Sequence, residues 1–181
     1  MVNSVPLRAH LLSPDNIHPR LHSAVLLAFF DLRPPAGNGS NWLVYDLNLN
    51  ISFVNRRGWP APRFDHLSTG LYYNGTKIGP TDVTLPSFKL EQEDTQIVPS
   101  VLRGRTANTA DAVAKAFAEE RARGQLNLNV RVRTTISYSF FPEKETRYCE
   151  YDCCLQFPPV PGDGTPAITG GGFECGLVFA I

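Results

Sequence analysis

The most reactive side chains in the sequence are four thiols, Cys149, Cys153, Cys154 and Cys175, all in its C-terminal part. They lack the paired Cys-x-x-Cys spacing of zinc ligands, and the four histidines, His10, His18, His22 and His66, lie far away in sequence, so no metal centre is expected. A cysteine nucleophile would need Cys149 or Cys153 beside His66 or His22, and no local sequence frames either pair as a catalytic elbow. What remains for the thiols is one or two disulfides in an oxidising compartment, or small buried thiols in a reducing one. GxGxxG, GxxxxGKS/T and HExxH motifs are all missing from the sequence, so no nucleotide, other cofactor or zincin chemistry is expected. No convergent set of acid, base and nucleophile stands out, and the expectation is a non-enzymatic protein.

Three Asn-x-Ser/Thr triplets begin at Asn38, Asn50 and Asn74 and are glycan acceptors if the chain meets the secretory lumen. Asn38 and Asn74 each precede glycine, where asparagine also serves as a turn residue that tolerates left-handed backbone. Arg56-Arg57 and Arg103-Gly104-Arg105 are short basic spots of the kind found on solvated turns. Asn55, Arg56 and Arg57 form a candidate contact turn, because loops at the ends of a sandwich most often carry contacts.

Long strands must carry these groups. Leu43, Tyr45, Leu47, Leu49, Ile51 and Phe53 alternate with Asp46, Asn48, Asn50 and Ser52, and the stretch Leu126–Phe140 alternates in the same way. A core face alternating with a solvated face predicts antiparallel sheets packed on each other. The Leu-Asn-Leu-Asn echo at 47–50 and 126–129 reads as two strands with uncharged polar residues outward. Weaker strand signals fall at 5–12, 21–32, 70–73, 76–78, 81–85 and 95–102, with Asn74-Gly75 as a two-residue hairpin turn. Pro80 and Pro86 limit the 81–85 strand to a sheet edge.

One helix is predicted over 109–123, capped by Asn108 or Thr109, with an apolar stripe of Ala110, Val113, Ala114, Phe117 and Ala118, and stopped by Gly124. Glu119, Glu120, Arg121 and Arg123 are expected mostly on its wet side, as solvated charges. Alternation resumes after Pro142 and puts Cys153 and Cys154 on opposite faces. A Pro/Gly-rich loop over 158–172 then leads to a last strand over 173–181.

At 181 residues and 20.0 kDa the chain is expected to fold as a single domain, 1–181. With 17 basic and 17 acidic residues there is no net field to draw in a polyanion, so no nucleic-acid partner is expected. The longest wholly apolar run, residues 24–30, is far short of the roughly 20 residues of a membrane-spanning helix. Pro6, Pro14, Asp15 and Pro19 interrupt any export signal near the start, and neither signal nor span is expected in this chain.

The order of features carries a resemblance: an alternating strand ending in Val54-Asn55, then Tyr72-Tyr73-Asn74-Gly75, then Leu85-Pro86-Ser87-Phe88, then the stretch 98–104 and a second long strand. Over residues 5–157 the chain resembles the plant group 2 late embryogenesis abundant family, in its non-race-specific disease resistance and harpin-induced-like branch. The resemblance implies a fibronectin III or immunoglobulin-like β-sandwich without enzymatic activity, acting in pathogen and water-stress responses. It implies a plasma-membrane or cell-surface location, with a protein or cell-wall partner or a peripheral membrane contact. The family's Asn-Pro-Asn after the first long strand reads Asn55-Arg56-Arg57 here, and no counterpart of its N-terminal anchor is expected in this sequence. The alternative is a soluble cytoplasmic stress protectant or a lipid-binding sandwich.

Overall fold

The computed structural model describes residues 20–33, 42–56, 60–79, 81–106, 111–140, 143–157 and 172–181. Ten strands and one helix follow in the order β1 (Arg20–Arg33), β2 (Trp42–Val54), β3 (Arg63–Tyr73), β4 (Thr76–Lys77), β5 (Val83–Thr84), β6 (Phe88–Lys89), β7 (Thr95–Thr106), α1 (Asp111–Arg123), β8 (Leu126–Phe140), β9 (Glu143–Phe157) and β10 (Gly172–Ala180). All pairings are antiparallel, in the order β4-β3-β8-β9-β10-β1-β2-β7, with β5 and β6 also on β3. The expected all-β antiparallel fold with one short helix is thus the observed one. In β2 every odd residue from Leu43 to Phe53 is buried and its neighbours are half-buried, as period-two patterning requires.

The sheet curls until its two ends face each other. Side chains bridge the ends: the hydroxyls of Thr69 on β3 and Ser100 on β7 are hydrogen-bonded at 2.7 Å, and the Thr106 hydroxyl donates to the Ile78 carbonyl. On the opposite side a narrow backbone ladder joins the layers. There Cys175 of β10 pairs with Cys153 of β9 on one flank and with Leu21 of β1 on the other. One layer, β3-β8-β9, therefore faces the other, β1-β2-β7, across a shared core. Near one end of that core the rings of Phe53, Phe64 and Phe88 meet with centroids 4.8 to 5.1 Å apart, two contacts edge-on and one stacked.

Several boundaries differ from the sequence reading. β3 begins at Arg63 rather than at residue 70, because its register slips between Asp65 and Ser68, where His66 takes a φ of 52°. That bulge puts Phe64, Leu67 and Thr69 inward, a spacing that strict alternation misses. β7 runs on to Thr106, and β6 is an additional short strand. Asn74 and Gly75 both have positive φ, 46° and 74°, as their two-residue turn demands. The predicted strand at 5–12, most of the 158–172 loop and the helix caps Asn108 and Thr109 lie outside the described residues.

Helix α1 lays Val113 and Phe117 on the core and ends at Gly124, whose φ of 74° turns the chain. Glu120 is not on the wet side as expected, but turned toward the sheet. Its Oε2 accepts from the Tyr73 hydroxyl at 3.1 Å and the Asn127 N–H at 3.0 Å, and its Oε1 accepts from Asn127 Nδ2 at 3.0 Å. One carboxylate therefore fastens the helix to β3 and β8. Glu120→Gln keeps the shape but leaves one carbonyl oxygen for three donors, and a loss of about 1–2 kcal/mol is expected in urea unfolding. Glu119→Gln, whose carboxylate pairs with an exposed Arg123 at 3.7 Å, should stay within about 0.5 kcal/mol of the native chain.

Candidate functional site

The seam between the two ends of the sheet leaves a cleft. About 170 Å³ in volume, it is lined by Tyr45, Leu71, Gly79, Thr81, Val83 and the β7 stretch from Val101 to Gly104. Tyr45 comes from the core face of β2 and is only 3% exposed, yet its hydroxyl reaches this opening between two glycines. A Cβ on Gly104 would lie 2.6 Å from that hydroxyl, and one on Gly79 would lie 3.2 Å from it. Side chains at either position would crowd the phenol out of its path. Burial pushes the Tyr45 phenol above its ordinary pKa, so it remains an O–H donor through the neutral range.

The outer face of β3-β8-β9 is built differently. Gly70 leaves room for the Asp82 carboxylate and the edge of the Tyr72 ring to lie on the sheet. Arg131 sits 4.2 Å over that ring, and Arg133 donates to the Tyr72 hydroxyl at 2.6 Å, Asp82 Oδ2 at 2.8 Å and Glu150 Oε2 at 2.8 Å. Lys77 pairs with Asp82 at 2.8 Å, and Asn129 donates to both Asp152 oxygens. Cations and carboxylates here match one another, so the patch is a neutral lattice rather than a landing site for a charged ligand.

The residues singled out in the sequence are dispersed. Cys153 and Cys175 form a disulfide between β9 and β10. Cys154 points to the outer face, where Asn129 Nδ2 donates to its sulfur at 3.3 Å, and Cys149 is buried inside with Tyr138 and Tyr151. Burial raises the Cys149 thiol from its ordinary value near 9 to about 11. The thiol form is thus favoured by folding, a contribution complete below pH 9 and lost as pH rises toward 11. Between those pH values the native chain should lose more stability than Cys149→Ala. Iodoacetamide at pH 8 should label Cys154 and spare Cys149, as read by peptide mass mapping.

Asn74 is exposed at its hairpin turn, Asn50 is half-buried on the outer face of β2, and Asn38 lies outside the described residues. The contact turn needs correction at its first residue. Asn55 is 4% exposed, with its Nδ2 donating to the Glu91 carbonyl at 3.1 Å and its N–H to the Asp94 carbonyl at 3.0 Å. It clamps the 90–94 turn beside β2 with its N–H donors and is too buried to present itself to a partner. Arg56 is exposed, and Arg57 lies outside the described residues. Sequence reasoning missed the cleft because Tyr45, Gly79 and Gly104 are far apart in the chain, and only the glycine between Arg103 and Arg105 stood out locally.

No protein-family model matches this chain, and no curated protein matches it. Among solved structures it is similar to the crystal structure of a protein from Archaeoglobus fulgidus, at 12% identity and a TM-score of 0.35, over 74% of this chain and 94% of that one. The described residues define an antiparallel all-β sandwich with a cleft along its seam. They contain no helix long and apolar enough to cross a membrane.

Proposed function

We propose that this chain is a non-enzymatic β-sandwich module of the late embryogenesis abundant group 2, harpin-induced-like kind. It acts in plant defence of the hypersensitive-response type and in abiotic stress, at the cell surface, through contacts with a protein, cell-wall or membrane-surface partner. The observation that supports it best is a row of apolar side chains on the outer face of β7, the last strand of the sheet. Ile97 and Val101 are 53% and 48% exposed there, with exposed Pro99 between them. Pro99 also removes one N–H from the strand, which blunts edge-to-edge aggregation while leaving the apolar row available for a contact.

The test is expression in leaves of the native chain and of an Ile97→Asp, Val101→Asp double variant, followed by scoring of hypersensitive cell death. The native chain is expected to accelerate the response and the variant to lose that effect, with unfolding temperatures within a few degrees of each other. Equal responses from the two proteins would overturn the reading. Endoglycosidase treatment of the same extracts should lower the apparent mass, and Asn74→Gln should remove part of that shift. A chain that never meets the lumen would show none.

A further inference from the structure

The outer lattice neutralises its own charges, and the interior thiol and phenols of β8 and β9 are closed off by the core. The seam cleft is different, because it brings core-type side chains and an unused donor to the surface. Tyr45 is buried over nearly all its area, yet its hydroxyl lies at the cleft beside Gly79 and Gly104 and makes no hydrogen bond to another side chain or carbonyl among the described residues. A hydroxyl that opens into a cleft is hydrated there, and a ligand acceptor that reproduces the water's hydrogen bond can take its place. The glycines on both sides keep that path clear, with a Cβ at Gly104 falling 2.6 Å from the phenol oxygen.

We infer that the cleft binds a small neutral aromatic molecule bearing a hydrogen-bond acceptor, which the Tyr45 hydroxyl engages. Three features set the class. The open cleft, about 170 Å³ in volume, has room for a single ring, since an enclosed apolar cavity of roughly 150 Å³ takes one benzene. Leu71, Val83 and Leu102 give apolar walls for the ring, and the phenol supplies a single donor for a carbonyl oxygen. The nearest cation, Arg103, is occupied by Asp46 at 2.8 Å, so the site has no spare charge for an anion. This ligand site shares one residue, Val101, with the apolar row of the defence reading, but neither Ile97 nor a cell-surface partner enters it, and Tyr45→Phe tests the site with that row intact.

The probe is benzamide, titrated into the full ¹⁵N-labelled chain while amide shifts are followed, with toluene as the ring that lacks an acceptor. Saturable shifts are expected at Gly79, Thr81, Leu102 and Gly104, with a Kd on the order of 1 mM. Tyr45→Phe preserves the ring and should weaken benzamide about fivefold, the size of one neutral hydrogen bond, without altering toluene binding. Val83→Phe, which fills the cleft from its rim, should abolish both sets of shifts. No saturable shift at those amides, or equal benzamide affinity for the native chain and Tyr45→Phe, would overturn the assignment.

Discussion

Phe64→Ala is expected to lower the unfolding free energy by about 3–5 kcal/mol, the cost of emptying a well-packed aromatic site. Phe64 is fully buried and stands just before the β3 bulge, paired in register with Ile136 on one side and Phe88 on the other. Its ring stacks on Phe88 at 4.8 Å and meets Phe53 edge-on at 5.0 Å, so it links both layers of the sandwich. Removing it strips two aromatic contacts and leaves a void that rigid strands cannot collapse to fill. Phe64→Leu should cost less than half as much, because most of the volume stays. Urea unfolding monitored by tryptophan fluorescence reads both, and a loss below about 1 kcal/mol for the alanine variant would refute this account of the core.

The second large effect concerns the disulfide. Cys153 and Cys175 are separated by 22 residues, and closing a loop of that size removes enough unfolded-chain entropy to stabilise the fold by about 3 kcal/mol. The bond also sits where topology is thinnest. Among the described residues β10 meets β1 across the short run from Leu21 to Ala24, and Cys175 has partners on both flanks. The Cys153→Ala, Cys175→Ala double variant should therefore unfold at lower urea, and hydrogen exchange should quicken first in β10 and adjoining β9 rather than in β2 or β8. Native chain treated with dithiothreitol should follow the variant. Uniform exchange across the sheet, or unchanged stability after reduction, would count against the bridge as the joint between layers.

Much of this architecture could be read from alternation. β2, β8 and β9 bury one side-chain phase and expose the other, a signal that needs only local sequence. β3 escaped because the Asp65–Ser68 slip shifts its phase midway, and a bulge has no period to detect. Glu120 was misplaced for a related reason: helical position predicts a face, but three donors on β3 and β8 decided which way its carboxylate turned. The turn at Asn55 looked like a loop tip, yet its amide is spent on the carbonyls of a segment some 36 positions away. The seam cleft depends on three residues from distant strands and on the absence of two Cβ atoms, and pattern reading has no access to such a coincidence.

The placement of β10 bears on how the chain is built during synthesis. Its partners are β9, its sequence neighbour among the strands, and β1, almost the whole length of the described chain away. The ladders β1-β2 and β8-β9 can zip as soon as each hairpin leaves the ribosome, since their contacts are local. The two halves acquire a shared backbone only when Gly172–Ala180 is made and inserted between β1 and β9. Until then the facing edges of β1 and β9 are unpaired and open to intermolecular pairing, which makes β10 the strand that protects both.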